Sequence, residues 1–241
     1  PKSETLSHQL TWSHYFELLK IDFDNKHSFY EKQCENERWS VRQLKRQKTS
    51  GLYERLARSK NREELLELAN KGQHVVRPQD LLREPYVLEF LNLPEQNSLR
   101  ESELEQRLID HLQSFLLELG KGYAFVGRQY RITIGDDHYY IDLVFYHYVL
   151  KCFVLVDLKT SKANPGDVGQ MNMYLSYFAS EESREDDNPP VGIVLAPKQN
   201  EQTIRFALEG IPNQLLVSRY QTYLPLEADL RAEIEKVLEE E

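Results

Sequence analysis

Tyr139-Tyr140-Ile141-Asp142-Leu143-Val144-Phe145-Tyr146 and, after a short connection, Cys152-Phe153-Val154-Leu155-Val156-Asp157-Leu158-Lys159 are two apolar runs, each carrying one carboxylate. β-Branched and aromatic residues suit a pleated, half-buried surface, whereas Asp and Lys do not. An ionised carboxylate in a core strand is costly unless it is paired or binds a metal. Side chains at i and i+2 share a strand face, so Asp157 and Lys159 are expected to be neighbours. A tight hairpin centred near Val149-Leu150 would pair residue i with residue 299 − i and set Asp142 opposite Asp157, with Cβ atoms ~5 Å apart. Val-Leu is not typical turn chemistry, so proximity of the strands is a firmer expectation than their register. Two carboxylates so close repel unless a cation sits between them, and Mg²⁺ takes one or two carboxylates plus waters and phosphate oxygens. Beside a metal-bound phosphate, the Lys159 ammonium would orient an attacking water and offset transition-state charge.

Outward from these runs, the pattern predicts a strand over 123–134, a Gly135-Asp136-Asp137 turn, and strands over 139–146 and 152–158. Upstream, Leu104, Leu108, Leu112, Phe115, Leu116 and Leu119 share one face of a helix over 102–120, capped by Ser102 and ended by Gly120. Downstream come a helix over 167–178, a strand over 191–195, a helix over 201–209, a strand over 215–218 and a helix over 227–239. The class is α/β with the order αβββαβ, followed by a further α and β. Residues 1–70 read as a helical region, with Ser13 capping one helix and Ser40/Gln43 spaced as a capping box for another. Pro78, Pro85 and Pro94 break up 71–100, a connector apolar enough to pack onto a neighbour, and 101–241 is the catalytic part.

The net charge of −9 is unevenly spread. Between Arg38 and Arg62 lie nine basic residues and one acid, Glu54, a local charge of +8 that leaves −17 for the remainder. Such a concentration suits phosphate contacts, and Arg42, Lys45, Arg46 and Lys48 are the candidate DNA-binding residues. Arg128 and Arg131 are further candidates for a phosphate. No run of ~18 apolar residues offers a membrane span. Cys34 and Cys152 lie far apart and read as two reduced thiols of a cytoplasmic protein. The chain opens at Pro1 rather than Met, which suggests a missing upstream portion. No phosphate-binding GxxxxGK[ST] loop occurs, so no nucleotide cofactor is expected, and no closely spaced His/Cys group calls for zinc.

Asp-x₁₄-Asp-x-Lys on adjacent strands after an acidic helix resembles the PD-(D/E)xK nuclease superfamily. The resemblance becomes specific through Trp12-Ser13-His14-Tyr15, Phe29-Tyr30-Glu31-Lys32-Gln33-Cys34, Trp39-Ser40-Val41-Arg42-Gln43-Leu44, Leu116-Leu117-Glu118-Leu119-Gly120, Phe125-Val126-Gly127-Arg128-Gln129, Ile141 to His147 and Gly169-Gln170-Met171-Asn172-Met173-Tyr174. These segments are similar to the bacterial YhcG-type branch over nearly the whole chain. The resemblance implies a restriction-endonuclease-like core behind a helical, winged-helix-like DNA-binding part. It also implies a site in which Glu105, Asp142 and Asp157 hold Mg²⁺, or Mn²⁺ in its place. Lys159 would complete the catalytic set, and Gln170 would be an auxiliary polar residue near the scissile phosphate. Glu is the expected residue before that lysine, and this chain has Asp157. The implied activity is metal-dependent hydrolysis of DNA that leaves a 5′-phosphate, with a homodimer as a plausible form for cutting two strands. The competing expectation is a non-catalytic DNA-binding or assembly module on a nuclease fold.

Overall fold

The computed structural model describes residues 10–57, 62–93 and 100–225. The helix expected over 227–239, Pro94, and the basic residues Arg58 and Lys60 lie outside them. The chain divides into two units, the second of which spans Val75–Tyr223.

The N-terminal unit is built from α1 (Trp12–Leu18), α2 (Asp24–Glu37), α3 (Val41–Thr49), α4 (Leu52–Ala57) and α5 (Arg62–Lys71). Among its described residues there is no strand of the kind a wing would need. Leu18, Phe29, Tyr30, Leu44 and Leu52 are fully enclosed in its core. Ser40 and Gln43 form the expected capping box: Ser40 Oγ accepts from Gln43 N at 3.3 Å, and Gln43 Oε1 accepts from Ser40 N at 2.8 Å. α1 starts one residue before Ser13, with Thr11 as its cap, because His14 turns its ring back to Thr11 N at 3.1 Å.

In the second unit the apolar runs become strands: β1 (Tyr86–Val87), then α6 (Glu101–Asp110), α7 (Leu112–Leu119), β2 (Tyr123–Ile134), β3 (Asp137–His147) and β4 (Cys152–Leu158). After them come α8 (Pro165–Tyr177), β5 (Val191–Ala196), α9 (Glu201–Leu208) and β6 (Gln214–Gln221). They form one six-stranded sheet in the order β1-β6-β5-β4-β3-β2. Strands β2, β3 and β4 pair antiparallel, and β4, β5, β6 and β1 run parallel. Tyr86–Val87, inside the stretch read as a connector, is thus the edge strand beside β6.

The sheet separates two apolar layers. Leu143, Phe145, Val154, Val156 and Leu158 pack with Leu104, Leu108, Phe115 and Leu119 of α6 and α7. Val144, Leu155 and Val194 pack with Met171, Tyr174 and Leu175 of α8 and with Ile204 of α9. Alternation along β4 therefore directs Asp157 to the α8 side, whereas β3 breaks its alternation at Asp142, with Ile141 and Val144 in the same layer.

The helix expected over 102–120 is two helices. His111, with φ −115° and ψ 29°, breaks it, and its ring Nδ1 lies 3.1 Å from the Arg107 carbonyl that its own backbone N–H also uses. A side chain competing for a backbone acceptor loosens a helix in this way, and an uninterrupted apolar stripe does not reveal it. Ser102 is not the cap: the helix begins at Glu101, and the Glu103 carboxylate accepts from Arg100 N at 3.3 Å.

β5 is buried along its whole length, and Gly192 is what lets α8 lie on it. A Cβ there would fall 2.6 Å from Met171 Cγ and 3.0 Å from Leu175 Cδ1. Gly192→Ala is expected to lower unfolding stability by about 1–3 kcal/mol, toward the lower end because Met171 can yield. A urea midpoint equal to that of the parent chain would show that α8 has slack against the sheet.

Candidate active site

The β3–β4 register is the one with paired residues summing to 299: Leu143 faces Val156 and His147 faces Cys152. Four residues, Tyr148 to Lys151, make the connection. Lys151 takes a left-handed conformation (φ +49°), and Asn188 Nδ2 donates to the Leu150 carbonyl at 2.7 Å. A neighbouring segment thus supplies what Val-Leu lacks as turn chemistry.

One step beyond Leu143↔Val156 the ladder ends. The Asp142 side chain takes over there, its Oδ2 accepting from Leu158 N at 2.7 Å. Asp157, only 4% exposed, sits on the opposing strand, and the Lys159 ammonium lies 2.9 Å from its Oδ2. The Lys159 backbone is fixed from two sides: its N–H donates to Leu195 O at 2.8 Å, and its carbonyl accepts from the Tyr220 hydroxyl at 3.0 Å. The parallel half of the sheet therefore holds the residue that follows β4.

Glu105 reaches this fork from α6, where Leu104 and Leu108 anchor the helix and leave Glu105 itself 6% exposed. Gln129 connects the acids: its Nε2 donates to Glu105 Oε2 at 2.6 Å and to Asp142 Oδ1 at 3.0 Å. Glu101, Ser102, Glu105, Gln106, Arg128, Gln129 and Asp142 line an open cleft of about 410 Å³. Arg128 is tied by a 2.6 Å hydrogen bond to Gln106 Oε1 on its wall.

Electrostatics set these groups apart from ordinary carboxylates. Burial raises the Asp142 pKa, with Glu105 and Glu101 adding to the rise and the Leu158 N–H and Lys159 opposing it. Burial and the adjacent Asp142 push Asp157 up to about 7, against the pull of Lys159. Burial works against the Lys159 ammonium, but Asp157, with Glu101 and Asp167 behind it, outweighs that and raises its pKa. Lys159 is a cation across the physiological range.

Of the residues singled out from sequence, Glu105, Asp142, Asp157 and Lys159 converge. Gln170 stands one step away: its Nε2 donates to the Tyr174 hydroxyl at 2.5 Å, and that hydroxyl feels the charges of Asp157, Lys159 and Asp142. Gln129 and Tyr220 received no role from sequence. Gln129 lies in an ordinary alternating strand, and only its backbone conformation aims it at the acids. Tyr220 is an aromatic at strand spacing, indistinguishable in sequence from a core residue.

Oxygen donors from two or three carboxyl groups are the set a hard divalent cation takes. Among the described residues no three His, Cys, Asp or Glu side chains are already gathered as ligands, since Glu105 is drawn to Gln129 and Asp157 to Lys159. Asp157 Oδ2 is buried with the Lys159 ammonium beside it, and both aspartates are raised, Asp142 by burial with Glu105 and Glu101, Asp157 by burial with Asp142. A cation relieves this kind of stress, so the residues fit one.

The basic cluster lies in the N-terminal unit, and its members differ. Arg42 and Lys45 are exposed on one face of α3 and Arg46 is half-buried. The Lys48 ammonium is mostly enclosed and donates to the Glu17 carbonyl at 2.6 Å. Arg55 is buried, its Nε donating to the Ser50 carbonyl at 2.9 Å. Lys48 and Arg55 thus bind the unit's own backbone.

Comparison with known proteins bears on this arrangement. The family model described as DUF1016 N-terminal domain matches residues 1–55. A protein of Escherichia coli (strain K12), "Putative nuclease YhcG", is 42% identical over 237 residues, covering 97% of this chain and 63% of that protein. The chain thus spans less than two thirds of that relative's length. A repair endonuclease from Pyrococcus abyssi matches 54% of this chain and 50% of its own, with 20% identity and a TM-score of 0.39. An EndoMS–dsDNA complex matches 55% and 49%, with 21% identity and a TM-score of 0.38. The family model described as YhcG PDDEXK nuclease domain covers residues 79–235, the sheet and its acids together, and the chain belongs to that family.

Proposed function

We propose that the chain is a Mg²⁺-dependent deoxyribonuclease that hydrolyses phosphodiester bonds at the β3–β4 fork, with Mn²⁺ as a working substitute. The observation that carries this reading is the convergence of Asp142, Asp157 and Lys159 where the ladder ends, with Glu105 brought in from α6. Glu105, Asp142 and Asp157 would hold the cation, which when bound polarises the phosphate and lowers the pKa of a water. Lys159, fixed through its backbone and charged, orients that water and offsets charge growing on the phosphate oxygens. The Leu158 N–H keeps Asp142 in place. Gln170, through Tyr174, borders the position of the scissile phosphate. Cutting both strands of a duplex calls for two such sites, which a homodimer supplies. No described helix is long and apolar enough to cross a membrane, and a DNA substrate suits a cytoplasmic location.

The test is incubation with supercoiled, linear and branched DNA in Mg²⁺, in Mn²⁺ and in EDTA. Metal-dependent cutting establishes the activity, and the preferred form names the substrate class. Binding without cutting on every form would replace the enzyme with a DNA-binding or assembly module on the same fold.

DNA affinity is assigned to the exposed face of α3. Replacing Arg42 and Lys45 together by Ala is expected to weaken binding of any DNA sequence. It should also flatten the salt dependence of log K by about 0.9 for each phosphate that is no longer neutralised. Lys48→Ala should instead lower the melting temperature, because its ammonium holds the end of α1. Salt slopes unchanged in the double variant would move the DNA-binding face elsewhere.

A further inference from the structure

Gln129 departs from the strand that carries it. Its φ is +46°, a left-handed conformation that strains a residue other than glycine and persists only where its surroundings impose it. The register of β2 on β3 sets it across from Asp142, between the pairs Arg128↔Leu143 and Tyr130↔Ile141. From there one carboxamide nitrogen holds two acids from separate elements, Glu105 on α6 and Asp142 on β3. A polarised NH₂ between two carboxylate oxygens fills the position that electrostatics otherwise gives a cation.

A carboxamide can also do what an ammonium cannot. Rotation about its last torsion, which is broad and roughly two-fold, exchanges NH₂ for a carbonyl oxygen with the rest of the side chain in place. A cation between the acids repels the first and attracts the second, and hard divalent ions accept carboxamide oxygens as ligands. We infer that Gln129 belongs to the cation site: its Nε2 bridges Glu105 and Asp142 when no cation is bound, and its Oε1 turns to the ion when one is. The inference rests on the metal-dependent reading above and adds to it a neutral ligand on β2.

The test is calorimetric titration of the full chain with Mn²⁺ in the absence of DNA, for the parent, Gln129→Gly and Gln129→Glu. Glycine suits the left-handed backbone, so it removes the carboxamide without adding strain. Glutamate keeps the shape and an oxygen donor but loses the N–H groups. Gln129→Gly is expected to weaken Mn²⁺ binding about tenfold, at the low end for a residue supporting a metal site, and Gln129→Glu to bind at least as tightly as the parent. A melting curve in EDTA confirms that both variants are folded. Equal or tighter binding by Gln129→Gly overturns the inference, since the carboxamide would then be a bystander or a competitor of the ion.

A second readout separates a ligand from a brace. In protein labelled with [¹⁵N]glutamine, the carboxamide signals lost in Gln129→Gly belong to Gln129. In the parent they should shift on saturation with Mg²⁺, as the hydrogen bonds to the carboxylates are released, and unmoved signals overturn the inference. If the parent takes up neither ion, the metal-dependent reading fails and this one with it. If the parent binds but the variants do not differ from it, only the role of Gln129 fails.

Discussion

Lys159→Ala is expected to slow Mg²⁺-dependent cleavage of supercoiled DNA by about 10²–10³-fold, the usual effect of removing one preorganised donor from a developing negative charge. The side chain stands 2.9 Å from Asp157 Oδ2, its carbonyl is held by Tyr220 and its N–H by Leu195. The ammonium therefore has little freedom and little reorganisation to make when charge grows nearby. Lys159→Arg is expected to restore little, because a planar fork cannot replace a compact point charge in so enclosed a place. Truncation also leaves Asp157 buried without its cation, but a carboxyl whose pKa is already about 7 takes up a proton rather than remaining an unpaired charge. The fold should thus survive while the rate falls. Initial nicking rates in Mg²⁺, with circular dichroism as the control, decide the matter; a rate within a factor of a few of the parent's would remove Lys159 from the chemistry.

Asp157→Asn should produce the largest change in stability, and its sign depends on pH. The folded chain raises the Asp157 pKa from 3.8 to about 7, through burial first and Asp142 second. The fold therefore favours the protonated form. That contribution is fully present below pH 3.8 and is lost as pH rises through about 7. Asparagine is neutral throughout and loses nothing. In EDTA the variant and parent should melt alike near pH 4. Above pH 7 the variant should be the more stable by on the order of 2–4 kcal/mol, roughly 5–15 °C for a chain of this size. Because Asp142 shares the titration, the parent's transition belongs to the pair of acids rather than to one. Divalent cation should narrow the gap, since it stabilises only the parent. A difference in melting temperature that stays constant from pH 4 to pH 8 would mean that Asp157 is already ionised throughout this range. The same variant is expected to lose cleavage.

Much of this was legible in the residues, for a physical reason: alternation of apolar and polar positions is a local signal. Expected strands over 123–134 and 152–158 coincide with β2 and β4. The register follows once the connection is centred, because a one-residue slip would turn every apolar side chain to the wrong face. What escaped depends on partners remote in sequence. Tyr86–Val87 is a strand only because β6 offers it an edge. His111 splits a helix whose apolar stripe is unbroken. Lys48 and Lys45 look alike in a basic run and both reach Glu17, yet the Lys48 ammonium is enclosed at the Glu17 carbonyl while Lys45 stays exposed. At the site, the two aspartates announced themselves by sitting in apolar strands, whereas Glu105 came only through the family resemblance. Gln129 could not, since its reach to Glu105 and Asp142 follows from a left-handed φ that no neighbouring residue signals.

The hydrogen bond from Leu158 N to Asp142 Oδ2 bears on how lineages of this fold lose activity. The carboxylate that would hold the ion also satisfies a backbone donor at the point where two strands part, so selection for folding alone can retain it. Asp157 is the reverse case: its charge costs stability, and nothing but chemistry rewards keeping it. An inactive descendant should therefore keep the aspartate of β3 long after it has exchanged the acid and lysine of β4 for neutral residues. In a collection of relatives, the first aspartate records ancestry and the second records current use.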